Sequence, residues 1–145
     1  MSSSAPIKDP AQALRFLLAG KAHVTFRSHK TDAHFTYYVQ ARKVGGSGQP
    51  TLHFVRVLTR PDYYEYLGVI RGGVFYTHGR ASKISPVAPS AKAFPWVWQR
   101  LTAGRVPETC DVYHEGKCGR CGRRLTVPES ITSGLGPECA RAVAS

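Results

Sequence analysis

His34-Phe-Thr-Tyr-Tyr-Val-Gln-Ala-Arg-Lys43 alternates with period two. Phe35, Tyr37, Val39 and Ala41 fall on one side, and Thr36, Tyr38, Gln40 and Arg42 on the other, as successive side chains do along a β-strand. One side is apolar enough to be buried; the other mixes a ring, an amide and a cation. The same β-branched and aromatic alternation runs from Ala22 to Ile84, broken by clusters of Gly, Pro and Asp. It predicts strands over 22–28, 34–43, 51–59, 64–70 and 74–78, with 80–84 as a sixth. Gly45-Gly46-Ser47-Gly48 reads as a loop and Gly72-Gly73 as a tight hairpin. Strands so closely spaced in sequence pair antiparallel.

Helices bracket this region. Asp9-Pro10 offers an N-cap acid with proline at the first helical position, and Gly20 closes the segment after Leu14, Leu17 and Leu18 have formed an apolar face. Beyond the sheet, Phe94, Val97, Trp98 and Leu101 recur at helical spacing up to Gly104, with Ser90 as the expected cap. Pro95 fits that pattern poorly unless regular helix starts there. The expected class is therefore α+β: an antiparallel curved sheet or small barrel with two flanking helices, followed by a C-terminal zinc-finger module.

That module announces itself through cysteine. The four cysteines, at 110, 118, 121 and 139, all lie in the last 36 of 145 residues. Clustered cysteines at short spacing favour a metal over disulfides in a reducing compartment. Cys118-Gly-Arg-Cys121-Gly sets two thiolates two residues apart on a turn, as a zinc knuckle does. Cys139 follows Gly136-Pro137-Glu138 at the expected start of a helix, where the dipole favours thiolate. Tetrahedral zinc needs a fourth donor. His114 is the first choice and Cys110 its rival. Thr126-Val-Pro-Glu129 fits a capping box opening a short turn. The chain thus divides at 109/110, with 1–109 as a basic β-rich domain, 110–145 as a zinc-binding module and Ala103 to Thr109 as the linker. A module this small draws its stability from one structural zinc ion. Glu115, Glu129 and Glu138 would be the available bases for a zinc-dependent nuclease, but three thiolates and a histidine make a closed site and a poor Lewis acid.

The run from Cys118-Gly-Arg-Cys121-Gly-Arg-Arg-Leu-Thr-Val-Pro-Glu-Ser-Ile131 through Gly134-Leu-Gly-Pro-Glu-Cys139-Ala resembles a zinc-binding domain family of unknown function found in bacteriophage and bacterial proteins. Phe54-Val-Arg-Val-Leu-Thr59, Tyr66-Leu-Gly68 and Ala91-Lys-Ala-Phe94 are similar to the β-rich region that accompanies that module in phage proteins. The resemblance implies zinc on Cys118, Cys121 and Cys139, with His114 where an upstream ligand belongs and Cys110 as a spare thiol. It also implies a phage or mobile-element source, hence a host cytoplasm, and it implies no activity.

Charge points to the partner. The chain holds 20 Lys plus Arg against 9 Asp plus Glu, a formal charge of +11, of which residues 1–109 carry +10. A charge this large on one domain favours polyanions. Arg27, Lys30, Tyr38, Arg42, Lys43, Arg80 and Lys83 are the candidate contacts in the sheet domain. Arg120, Arg123 and Arg124 are those in the module, where with Lys117 they also balance the thiolates. Rings interleaved with cations suit a single strand, because bases stack on rings while phosphates meet charge. No recognition helix for reading a duplex is evident. The expected function is non-catalytic nucleic-acid binding, single-stranded DNA foremost. The alternative is a phage protein that binds and inhibits a host protein complex, since a basic surface also docks acidic proteins. No stretch of 18 apolar residues spans a bilayer and no secretory signal is visible at Met1-Ser-Ser-Ser-Ala-Pro6, so a cytoplasmic protein is expected.

Overall fold

The computed structural model describes residues 7–31, 33–43, 51–72, 74–105 and 107–114. Within them the chain is α+β, a curled six-stranded antiparallel half-barrel with two helices. The elements are α1 (Pro10–Leu17), β1 (Lys21–Ser28), β2 (His34–Lys43), β3 (Thr51–Arg60), β4 (Tyr63–Arg71), β5 (Phe75–His78), α2 (Pro89–Thr102) and β6 (Cys110–His114). The sheet order is β5-β4-β3-β2-β1-β6, every neighbouring pair antiparallel.

Two expectations change. Residues 80–84 form turns instead of a strand: the Ser82 hydroxyl donates to the Tyr66 carbonyl at 2.7 Å and accepts from the Ile84 amide at 3.1 Å, which consumes the groups a ladder would use. The sixth strand is Cys110–His114, which pairs with β1 from Val24↔His114 to Ser28↔Cys110. The sheet therefore continues past the 109/110 boundary. The described segment between α2 and β6 is also tied in, with the His29 amide donating to the Thr109 carbonyl at 2.8 Å. The Ile7 amide donates to the Val112 carbonyl at 2.8 Å on the far side of β6, covering part of that edge.

Both helices lie on one face of the sheet. In α1 the Asp9 carboxylate accepts from the Ala11 amide at 3.3 Å, Pro10 opens the helix, and Ala13, Phe16 and Leu17 are buried. Helix α2 starts earlier than Ser90: Ala88 is its N-cap, with no side-chain hydrogen bond, and Pro89 fills the first turn. It runs through Pro95, which deprives the Ala91 carbonyl of its usual i+4 donor at a penalty of ~3 kcal/mol. Burial of Phe94, Val97, Trp98 and Leu101 offsets that loss. Phe94 is the hub, with ring centroids 5.7 Å from Phe26, 5.2 Å from Tyr37, 4.9 Å from Tyr76 and 6.0 Å from Trp98. The Tyr37 hydroxyl donates to the Ser90 carbonyl at 2.7 Å, fixing the start of α2 over β2. Gly104, at φ +80°, ends α2, and the Arg105 amide reaches back to the Arg100 carbonyl at 2.9 Å.

Beneath the helices lie Ala22, Val24 and Phe26 of β1, Tyr37 and Val39 of β2, Val55 and Val57 of β3, and Val112 of β6, all buried. Near Leu67 the β3–β4 register shifts, since Val55 faces Gly68 while Arg56 faces Tyr66. The bulge adds bend at that point.

Candidate nucleic-acid interface

The register stacks the opposite face of the sheet into rows. Arg42, Leu52, Arg71 and Phe75 form the first; Lys21, Gln40, Phe54, Val69 and Thr77 the second; His23, Tyr38, Arg56 and Tyr66 the third; Tyr113, Thr25, Thr36, Leu58 and Tyr64 the fourth. Three strand spacings separate β1 from β4, ~14 Å on a flat sheet. The His23 and Tyr64 ring centroids nonetheless lie 5.9 Å apart. The His23, Tyr38 and Tyr64 side chains lean together to close that distance, while on the helix side Phe94 reaches both Phe26 of β1 at 5.7 Å and Tyr76 of β5 at 4.9 Å, so the half-barrel curls around α2 and leaves this polar side open.

Rings gather at its centre. His23 stacks on Tyr38 with centroids 4.3 Å apart, and Tyr64 meets Tyr38 edge-on at 5.9 Å. Arg56 donates from Nη1 to Gln40 Oε1 at 3.4 Å. Burial pushes the Tyr38 phenol above its ordinary pKa, with the Arg56 charge partly opposing, so the hydroxyl stays protonated near neutral pH. Phe54 lies 6.2 Å from Tyr66, with the Arg42 guanidinium 5.6 Å over the Phe54 ring. Lys21, Arg42 and Arg71 are exposed at this end of the face. At the other end, Asp111 accepts from His29 Nε2 at 2.9 Å.

Three of the expected contacts, Arg27, Tyr38 and Arg42, share this face. Lys43 ends β2 in register with Thr51, at a position of the opposite parity. Lys30 sits on the β1–β2 turn, and Arg80 and Lys83 on the turns after β5, all exposed; beside the latter two, Gly79 lies against the Tyr66 ring and Ser82 donates to the Tyr66 carbonyl at 2.7 Å. Arg120, Arg123 and Arg124 lie outside the described residues. The reading of β2 alone missed Lys21, Phe54, Arg56, Tyr66 and Arg71 as members of the face. Alternation along Leu52-His-Phe-Val-Arg-Val57 carries that signal, because Val55 and Val57 must face the core and so turn Phe54 and Arg56 to the other side.

Of the metal candidates, Cys118, Cys121 and Cys139 also lie outside the described residues. Cys110 and His114 are the two ends of β6, both buried on the helix side. His114 packs its ring 5.8 Å from Phe16. The Cys110 thiol donates to the Asp111 carbonyl at 3.6 Å, and burial, with Asp111 adding to it, pushes its pKa up to about 11. About 13 Å of strand separates the two Cα atoms. Bonds of ~2.1 Å to nitrogen and ~2.3 Å to sulfur are too short for both residues to hold one zinc ion. Among the described residues no group of three or more His, Cys, Asp or Glu could hold a metal.

The molecule so defined is an open antiparallel half-barrel with one face covered by helices and a cationic, aromatic face left open. Residues 108–144 match the model of a family of unknown function, DUF6011. The matched segment begins just before β6, so its first part is a strand of the sheet. No curated protein and no solved structure matches the chain. No helix among the described residues is long and apolar enough to cross a membrane.

Proposed function

We propose that the protein binds single-stranded nucleic acid, DNA foremost, on the open face of the half-barrel, without catalysis. The observation that carries this reading is the meeting of Lys21, Arg42 and Arg71 with the Phe54, Tyr66 and Tyr38 rings on one curled surface. Cations there neutralise phosphates while the rings offer bases a surface for stacking, which needs no sequence-specific hydrogen bonds.

Zinc belongs to the same proposal. Cys118, Cys121, Cys139 and His114 would hold one structural ion, with Cys110 left out. Because β6 sets the two at opposite ends of one strand, only one of them can join the ion, and burial, which favours the protonated Cys110 thiol over the ligating thiolate, favours His114. Zinc on His114 would fasten the C-terminal segment to the edge of the sheet through β6.

Fluorescence anisotropy with a labelled oligo-dT and the zinc-loaded full chain tests the reading. Binding at low salt that weakens in Tyr38→Leu is the expected result. Absence of binding at low salt overturns it.

A further inference from the structure

The helix-covered side of the molecule carries a second surface of a different character. Pro89, Lys92, Ala93, Trp96 and Val97 recur on α2 at one-face spacing, and across from them stand Phe26, Phe35 and the β1–β2 turn. Between the two walls lies an open groove of about 380 Å³, lined mainly by carbon. That is the lower end of the range for ligand pockets, enough for one or two large side chains. Trp96 forms one lip, is 37% exposed, and separates the groove from a polar cleft of about 250 Å³ formed with Arg100, Arg105 and Glu108.

The rim is cationic and partly preset. The Arg100 guanidinium lies 3.8 Å over the Trp96 ring and donates to the Trp96 carbonyl at 3.0 Å, so its charge is held at the lip. Lys92 lines the groove, Lys30 adjoins Thr31 on its far wall, and Arg105 lines the cleft, against Glu108, the one carboxylate among the described lining residues. An exposed apolar groove beside a tryptophan and an arginine has the composition of a protein-binding hot spot. A nucleobase would leave its polar edge facing hydrocarbon in this groove, whereas a large apolar side chain would not. The charge around it selects negative flanks.

We propose that this groove docks an acidic peptide segment of a partner protein through one large apolar side chain, with carboxylates over Lys92, Arg100 and Arg105. The site faces away from the open polar face of the sheet and does not depend on the nucleic-acid reading. It would let the chain hold a protein and a strand at once.

The test uses the zinc-loaded full chain and two fluorescein-labelled peptides, each an Asp/Glu decamer with a central Phe or, as control, Ala. The expected result is saturable binding of the Phe peptide, a loss of at least about tenfold for the Ala peptide, and a comparable loss in the Lys92→Glu/Arg100→Glu variant. Oligo-dT binding by that variant stays unchanged, which separates failure of this site from failure of the open polar face. Equal affinity for both peptides would mean charge attraction alone and overturns the proposal, as does no binding of either at millimolar peptide. Displacement of the Phe peptide by oligo-dT also overturns it, because the rim would then belong to a polyanion surface. The peptide pair needs no variant, so the outcome stands even if the double substitution disturbs folding.

Discussion

Exchanging Arg42 for Gln removes one of three exposed cations, Lys21, Arg42 and Arg71, at the Phe54 end of the open polar face. If each neutralises one phosphate, log K for a single strand falls with log salt at a slope of ~−0.7 per contact, ~−2.1 in all. Raising salt from about 50 to about 200 mM then weakens binding ~20-fold. Arg42→Gln leaves two contacts, a slope of ~−1.4 and a ~7-fold loss over the same range. Lys92→Gln, on the helix side, changes total charge equally but leaves the slope as it was. Anisotropy titrations of labelled oligo-dT at four or five salt concentrations give all three slopes. The reasoning is refuted if Arg42→Gln and Lys92→Gln flatten the dependence equally, since the charge would then act as a diffuse field, not through contacts on this face.

Three further outcomes are expected. Phe94→Ala, which removes the ring shared by Phe26, Tyr37, Tyr76 and Trp98, should destabilise the fold by ~3–5 kcal/mol in urea titrations; a loss below ~1 kcal/mol contradicts the packing described. His53 donates from Nε2 to the Leu18 carbonyl at 3.0 Å while its buried Nδ1 has no partner, and burial lowers its pKa. The unfolded chain therefore binds a proton first as pH falls below ~6.5, so the stability this group contributes is full above that value and is lost toward its lower folded pKa; His53→Gln should flatten the melting-temperature decline between pH 7 and 5 relative to wild type. Metal analysis should find about one zinc per chain, lost in Cys121→Ser, reduced in His114→Ala and retained in Cys110→Ala; full zinc in Cys121→Ser removes the knuckle from consideration.

Strands β1 to β5 and both helices were legible because each is governed by local signals: period-two alternation, the Asp9-Pro10 start, Gly72 in the left-handed region at φ +62°, and Gly104 at the end of α2. Residues 80–84 misled because alternation is the same in a ladder and in a chain of serine-anchored turns; only the position of Tyr66 decides between them. Strand β6 was hidden by chemistry. Cys110-Asp-Val-Tyr-His114 alternates as well as any strand here, but its end residues are possible metal donors, and that reading drew the whole segment into the module. The open polar face was half legible for another reason. Each strand shows its own alternation, yet which residues become neighbours depends on register, and the approach of His23 to Tyr64 depends on side chains leaning together across strands.

The place of β6 has a consequence for where the chain can be divided. A chain ending at 109 loses five paired residues along β1 and uncovers Val24 and Phe26, and with them go Val112 and His114, both 0% exposed. Burial of Val112 alone is worth ~1.5–3 kcal/mol. The lost ladder adds ~0.5–1.5 kcal/mol per hydrogen bond. Together these approach the ~5–15 kcal/mol that hold a typical domain folded. A chain ending at 114 keeps all of them. Circular-dichroism melts of the two truncations should therefore differ sharply, with cooperative unfolding in the longer and a broad or absent transition in the shorter. Equal midpoints would mean that β6 is an accessory to the sheet, and that the break suggested by cysteine spacing is the true one. The expected difference instead makes the matched family segment, which starts at 108, a structural part of the body it follows: its first strand completes the sheet before its cysteines begin.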